Sequence, residues 1–128
     1  MQPLSAEWIQ KAEGDYATAQ RELRARIHPN YDAVCFHAQQ CAEKYLKPCL
    51  QQHTLPIPYT HDLVTLLQAL LTTQPLWVRL TPDLRALTVF GVTFRYPGAS
   101  ADRSMARDAF SRCRNVRRTI RAFFGLPS

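Results

Sequence analysis

Prolines set the first constraint on this chain. There are nine, and most fall at short intervals between stretches of regular apolar spacing. Proline disfavours helix at the residue before it and clashes with the preceding turn when it lies inside a helix. The stretches between prolines are therefore where regular structure can form, and their apolar residues recur every three to four positions, the spacing of a helix face. Five helical stretches follow. The first covers about residues 5–25, with Ser5 as N-cap and Trp8, Ala12, Tyr16, Ala19 and Leu23 as its stripe. After the His28-Pro29-Asn30 break, the second covers about residues 31–52, capped by Asn30. Its apolar face carries Tyr31, Val34, Ala38, Cys41, Ala42, Tyr45 and Cys49, and Pro48 predicts a kink or early end near Tyr45 to Lys47.

Residues 53–59 contain Pro56 and Pro58 and read as a loop. A third, short helix is expected over about residues 61–72, with Thr60 as cap and five leucines facing the core. The fourth starts near Pro82, with Thr81 as cap, and continues through Leu84, Leu87 and Gly91 or Phe94. Strand propensity competes over Phe90 to Phe94, but no partner strand exists elsewhere. Arg95-Tyr96-Pro97-Gly98 is a break. The last helix covers about residues 101–124, with Gly125 ending it. The expected fold is an all-α, antiparallel up-and-down bundle of four to five helices, one domain over residues 1–128.

Charge and missing motifs narrow the functions. The net charge is +6 and the pI about 9.5, which favours polyanionic partners. No apolar run is long enough for a membrane span, and the N-terminus lacks a signal-peptide pattern. A cytoplasmic location is the expectation. The four cysteines form no C-x-x-C pair and read as buried free thiols. Gly-rich phosphate loops, H-E-x-x-H and G-x-S-x-G are absent, so neither a cofactor nor a metal is expected.

Two helices carry the candidate chemistry. On the last, Arg103, Arg107, Arg114, Arg117, Arg118 and Arg121 share one sector at about 100° per residue, opposite an apolar face. They read as a solvated face paired with acids, or as a phosphate-binding face, since the guanidinium fork donates two hydrogen bonds at once. On the second helix, Phe36 projects with Gln39, Glu43 and Lys47 to the side away from the apolar face. Phe36 packs under a neighbouring helix, anchors an interface or stacks on a base. Beside it, His37, Gln40 and Lys44 form a row one turn apart, either solvated or bonded to a nucleotide or partner. His61, at a helix start, is structural or catalytic.

The run Tyr31-Asp32-Ala33-Val34-Cys35-Phe36-His37-Ala38-Gln39-Gln40-Cys41-Ala42-Glu43-Lys44 resembles the second helix of the HEPN family (higher eukaryotes and prokaryotes nucleotide-binding domain). Trp8, Ala12, Asp15 and Tyr16 resemble its first helix, Thr60-His61-Asp62-Leu63 the opening of its third, and Arg95-Tyr96-Pro97 the break before its last. The resemblance implies a bundle that commonly forms homodimers. Family members pair with a minimal nucleotidyltransferase in toxin–antitoxin fashion, bind nucleotides, or act as metal-independent ribonucleases. The ribonuclease branch uses R-x(4–6)-H before the last helix. Arg95 fits its arginine, but Ser100, Ala101 and Asp102 stand where the histidine would. Arg21 and His28 match R-x6-H only at the end of the first helix.

Three expectations follow. The first is a non-catalytic nucleotide- or partner-binding module with a groove between the second and last helices, built from His37, Gln40, Lys44, Arg95 and Tyr96. The second is a ribonuclease with His37 or His61 as substitute base. The third is a dimer that docks a nucleotidyltransferase through its arginine face.

Overall fold

The computed structural model describes residues 1–128. Its elements are α1 (Pro3–Arg24), α2 (Tyr31–Gln52), α3 (Leu63–Leu70), a 3-10 turn (Pro75–Leu80), α4 (Thr81–Thr93) and α5 (Arg103–Phe123). The all-α bundle expected from the apolar spacing is the observed fold, and Phe90 to Thr93 are helical. No helix is long and apolar enough to cross a membrane.

The second helix is the hub. α1, α3, α4 and α5 all pack on it, and its buried residues run from Val34 and Cys35 to Cys49 and Leu50 on nearly every side. The main core cluster joins them to Ile9 and Ala12 of α1, the leucines of α3, Leu84 and Leu87 of α4, and Cys113, Val116 and Ile120 of α5. All four cysteines are free and buried.

Several helix ends differ from the expectation. Ser5 does not cap α1. The helix begins at Pro3, whose missing N–H costs nothing at that position, and Ser5 is buried with its hydroxyl donating to Gln51 Oε1 at 3.3 Å. Thr60 does not cap α3. Asp62 does, accepting from the Val64 N–H at 3.0 Å, while the Thr60 hydroxyl accepts from the Asp62 N–H. α3 also ends earlier, at Leu70. Thr81 is the first residue of α4 rather than its cap, because the 3-10 turn runs straight into the helix and the Thr81 hydroxyl donates to the Val78 carbonyl.

Pro48 does not end α2, which continues to Gln52. Proline removes one backbone donor, but Pro48 is buried between Leu46 and Leu50, and packing of this kind outweighs local propensity. Asn30 caps α2 as expected, accepting from the Ala33 N–H at 3.0 Å. At the far end, Gly125 adopts φ +71, and the Leu126 and Gly125 N–H groups donate to the Arg121 and Ala122 carbonyls. That is the Schellman ending a left-handed glycine permits.

Candidate functional site

The site begins where α4 crosses α2. Gly91 is the buried contact residue on α4. A Cβ built there would sit 2.5 Å from Gln39 Cγ and 2.8 Å from Gln39 Cβ, so only glycine permits this approach. The crossing brings Phe90, Phe94 and Arg95 beside the first turns of α2. Together with Asn30, Asp32, Phe36 and His37 they line a cleft of about 370 Å³. The Arg95 guanidinium stands over the Phe36 ring, 5.4 Å from its centroid. The His37 ring stacks on the same phenylalanine at 5.2 Å, and the Phe90 and Phe94 rings lie 6.3 Å apart.

On the other side of α2, Asp15 of α1 fixes His37. Its Oδ1 is 2.7 Å from His37 Nδ1, and its Oδ2 accepts from Lys44 Nζ at 2.7 Å. Asp15 is 9% exposed, and a carboxylate so covered requires charge and hydrogen-bond partners. Facing a carboxylate, Nδ1 carries the proton, which leaves Nε2 as the ring nitrogen without a partner in the protein. Asp32 ties the cleft's rim to the start of α5, its Oδ1 accepting from the Ala101 N–H at 2.7 Å.

This geometry corrects the expected groove. His37, Gln40 and Lys44 do not face α5. Lys44 turns to α1, Gln40 donates to Gln39 Oε1 at 2.7 Å, and only His37 reaches the cleft with Arg95. The cleft lies between α2 and α4. Tyr96 is exposed and outside its lining. His61 lies before α3, with Nδ1 2.9 Å from Glu43 Oε1.

The interface expected from Gln39, Glu43 and Lys47 is likewise closed within the chain. Gln39 and Glu43 are 5% and 3% exposed, because α3 and α4 cover the side of α2 that its own stripe leaves free. Glu43 accepts from Gln39, Lys47 and His61. Burial alone would raise its carboxyl, but the bonds from His61 and Lys47 hold it below the ordinary value. The Lys47 ammonium lies over the Trp8 ring, 5.0 Å from its centroid. Phe36 alone of that group faces the cleft.

The arginine face divides in two. Arg117 grips Glu13 with both ends of its fork, at 2.7 and 2.8 Å, and lies over Tyr16. Arg121 bonds the Tyr45 hydroxyl at 3.1 Å, which donates to Glu13 at 2.6 Å. Burial opposes ionisation of Glu13, yet the bonds from Arg117 and Tyr45 prevail and lower its pKa. These two arginines join α5 to α1 and α2. Arg103, Arg107, Arg114 and Arg118 remain exposed.

Sequence reasoning missed Asp15, Phe90 and Phe94. The signal for Asp15 was present: it stands between Ala12 and Ala19 on the core-facing side of α1, where an acid needs a basic partner from another helix. No group of three or more His, Cys, Asp or Glu side chains gathers to hold a metal ion.

The class is set by an all-helical bundle with an aromatic cleft, holding His37, Asp32 and Arg95, at one helix crossing. The family model of the HEPN domain matches residues 5–123, and the chain belongs to the HEPN domain family. Neither a curated protein nor a solved structure matches it.

Proposed function

We propose that this HEPN domain binds a nucleotide in the cleft between α2 and α4. The observation that carries the reading is Arg95 poised over Phe36, beside the Asp15-held His37. Arg95 pairs with phosphate through its fork, and the rings of Phe36, Phe90 and Phe94 offer the base an apolar wall. Calorimetry with AMP, ATP and UMP tests it. A charged hydrogen bond contributes about 1.5–3 kcal/mol, so Arg95→Ala weakens binding at least about tenfold. No heat from the wild-type protein at millimolar ligand rejects the reading.

A second reading is ribonuclease activity, favoured by the unpartnered Nε2 of His37 in the same cleft as Arg95. His37 takes the proton from a ribose 2′-hydroxyl as that oxygen attacks the adjacent phosphorus. The bond to the 5′ oxygen breaks, that oxygen takes a proton from water, and a 2′,3′-cyclic phosphate remains. Arg95 stabilises the charge on the phosphoryl oxygens. Labelled RNA incubated with wild type, His37→Ala and Arg95→Ala decides between the readings. Cleavage that persists in either variant rules this one out.

The same proposal includes a second copy of the chain and a minimal nucleotidyltransferase, as in a toxin–antitoxin pair. Val89 and Val92 are exposed on α4 near the cleft, which supports a homodimer there; light scattering on wild type and Val92→Asp tests it. The exposed Arg114 and Arg118 suit an acidic partner surface, and co-purification with the product of a neighbouring nucleotidyltransferase gene tests that pairing.

A further inference from the structure

A second recess lies at the same end of the bundle. It has a volume of about 680 Å³ and is lined by Leu23 and Arg24 at the end of α1, Arg26 just beyond it, Tyr31 at the start of α2, and Arg103 and Arg107 in the first turns of α5. All four arginines are exposed, and none makes a hydrogen bond or ion pair within the chain. Arg112 pairs with Asp83 and Asp108, and Arg117 with Glu13; other exposed arginines such as Arg79 and Arg85 also lack a partner, but only here do four of them line one recess. The nearest acids in sequence are already engaged. Glu22 accepts from the Asn30 N–H and Asp102 from the Met105 N–H.

The placement is electrostatically unfavourable in the free protein. Arg24 suits the C-terminal end of α1, but Arg103 stands at the N-terminal, positive end of α5, with Arg107 in the next turn. They are also like charges one turn apart, an arrangement that destabilises a helix. Neither packing nor capping explains them, whereas a bound polyanion would relieve all four charges.

The recess also adjoins the cleft. Pro29 and Tyr31 line the recess, and Asn30 and Asp32 line the cleft. The two open on either side of the same few residues at the start of α2. We propose that the arginine recess is a backbone-phosphate site for single-stranded nucleic acid: a strand with one nucleotide in the cleft crosses the start of α2 and lays its flanking phosphates on Arg24, Arg26, Arg103 and Arg107. The crossing rests on the nucleotide reading of the cleft; the phosphate site does not.

Fluorescence anisotropy with a labelled uridine 12-mer at several salt concentrations tests it. The variants are Arg24→Gln/Arg26→Gln, Arg103→Gln/Arg107→Gln and, as a charge-matched control, the exposed pair Arg79→Gln/Arg85→Gln. Each neutralised phosphate contributes about 0.7 to the salt slope for a single strand. Each recess pair therefore lowers the slope by about 1.4 and affinity at least about tenfold, with UMP calorimetry unchanged. The control alters both by less than half as much. Equal losses in the control, or no loss in the recess pairs, overturn the proposal. So does displacement of the 12-mer by poly-glutamate at matched charge, which would assign the recess to an acidic protein. If wild type binds no UMP while the recess pairs still lose the 12-mer, the cleft reading fails and the phosphate site stands.

Discussion

Replacing Gly91 with alanine tests how α4 delivers Arg95 to the site. The added Cβ would lie 2.5 Å from Gln39 Cγ and 2.8 Å from Gln39 Cβ, where carbon atoms prefer about 3.5–4.0 Å. Rotating the Gln39 side chain cannot relieve the second contact, because its Cβ is fixed to the α2 backbone. The two helices must therefore separate. Overpacking of this kind costs about 1–3 kcal/mol. Disturbing the buried Gln39 bonds to Glu43 and the His61 carbonyl costs about 1 kcal/mol more. Alanine returns about 1 kcal/mol of helix propensity, leaving a net loss of about 1–3 kcal/mol. Urea denaturation followed by circular dichroism measures it. The expected fall in Tm is roughly 4 °C for each kcal/mol in a chain of this size. Gln39→Ala removes Cγ and Cδ but keeps Cβ, so the double variant is less destabilised than the sum of the singles. Under the proposed nucleotide reading, affinity also falls with the displacement of Arg95. A Gly91→Ala protein as stable as wild type, or a double variant whose losses simply add, refutes the reasoning.

Gly14→Ala has the opposite sign: the position is exposed in α1 with nothing within 4 Å of the added carbon, so thermal melts show a gain of about 1 kcal/mol from propensity alone. Glu13 and Glu43 have lowered pKa values when folded, so their stabilisation is complete above the ordinary carboxyl value near 4.5 and is lost as pH falls through the folded values. Denaturation across pH 7 to 2 therefore shows a fall confined to the acid side, and Glu13→Gln is less stable at pH 7 with a shallower fall. Burial raises the thiol pKa of Cys35 to about 12 and pushes those of Cys41 and Cys49 up, so a disulfide thiol reagent labels these positions only after denaturant is added.

The bundle was readable because its signal is repeated along the chain: each apolar stripe confirms a helix, and each Pro or Pro-Gly break bounds one. The start of α2 agrees with the residue read from sequence because the Asn30 side chain fits the cap by type and accepts from the Ala33 N–H. Caps failed for separate reasons: α1 starts earlier, at Pro3, the 3-10 turn runs straight into α4, and before α3 two suitable side chains stand close together. Thr60 and Asp62 both qualify by type, and the chain's path decides for Asp62. Pro48 misled because local propensity cannot register the packing around a hub helix. The same limit explains Gln39 and Glu43. A projection of α2 defines its outside relative to one apolar stripe, but this helix is covered on both sides, so the face that projected outward is a buried polar network.

Of the residues singled out in the sequence, the cleft unites His37, Arg95 and Phe36 but not Gln40, Lys44, His61 or Tyr96, and two packing decisions account for the difference. Asp15 draws Lys44 and His37 toward α1, which removes Lys44 from the cleft and fixes His37 within it. Gly91 draws α4 onto α2, which brings Arg95 to the ring that His37 already touches. Neither decision can be read from one helix, since each matches a residue on one element to a residue on another. Both act through buried contacts, so His37 and Arg95 are placed by the core of the bundle, although Arg95 itself follows the last turn of α4. The arginines divide by the same logic. Arg117 and Arg121 meet Glu13 and Tyr45 across the core boundary and serve the fold. Arg107 and Arg103, about three and four turns before Arg117 on the same helix, meet no acid, which is why the proposed phosphate site draws on them.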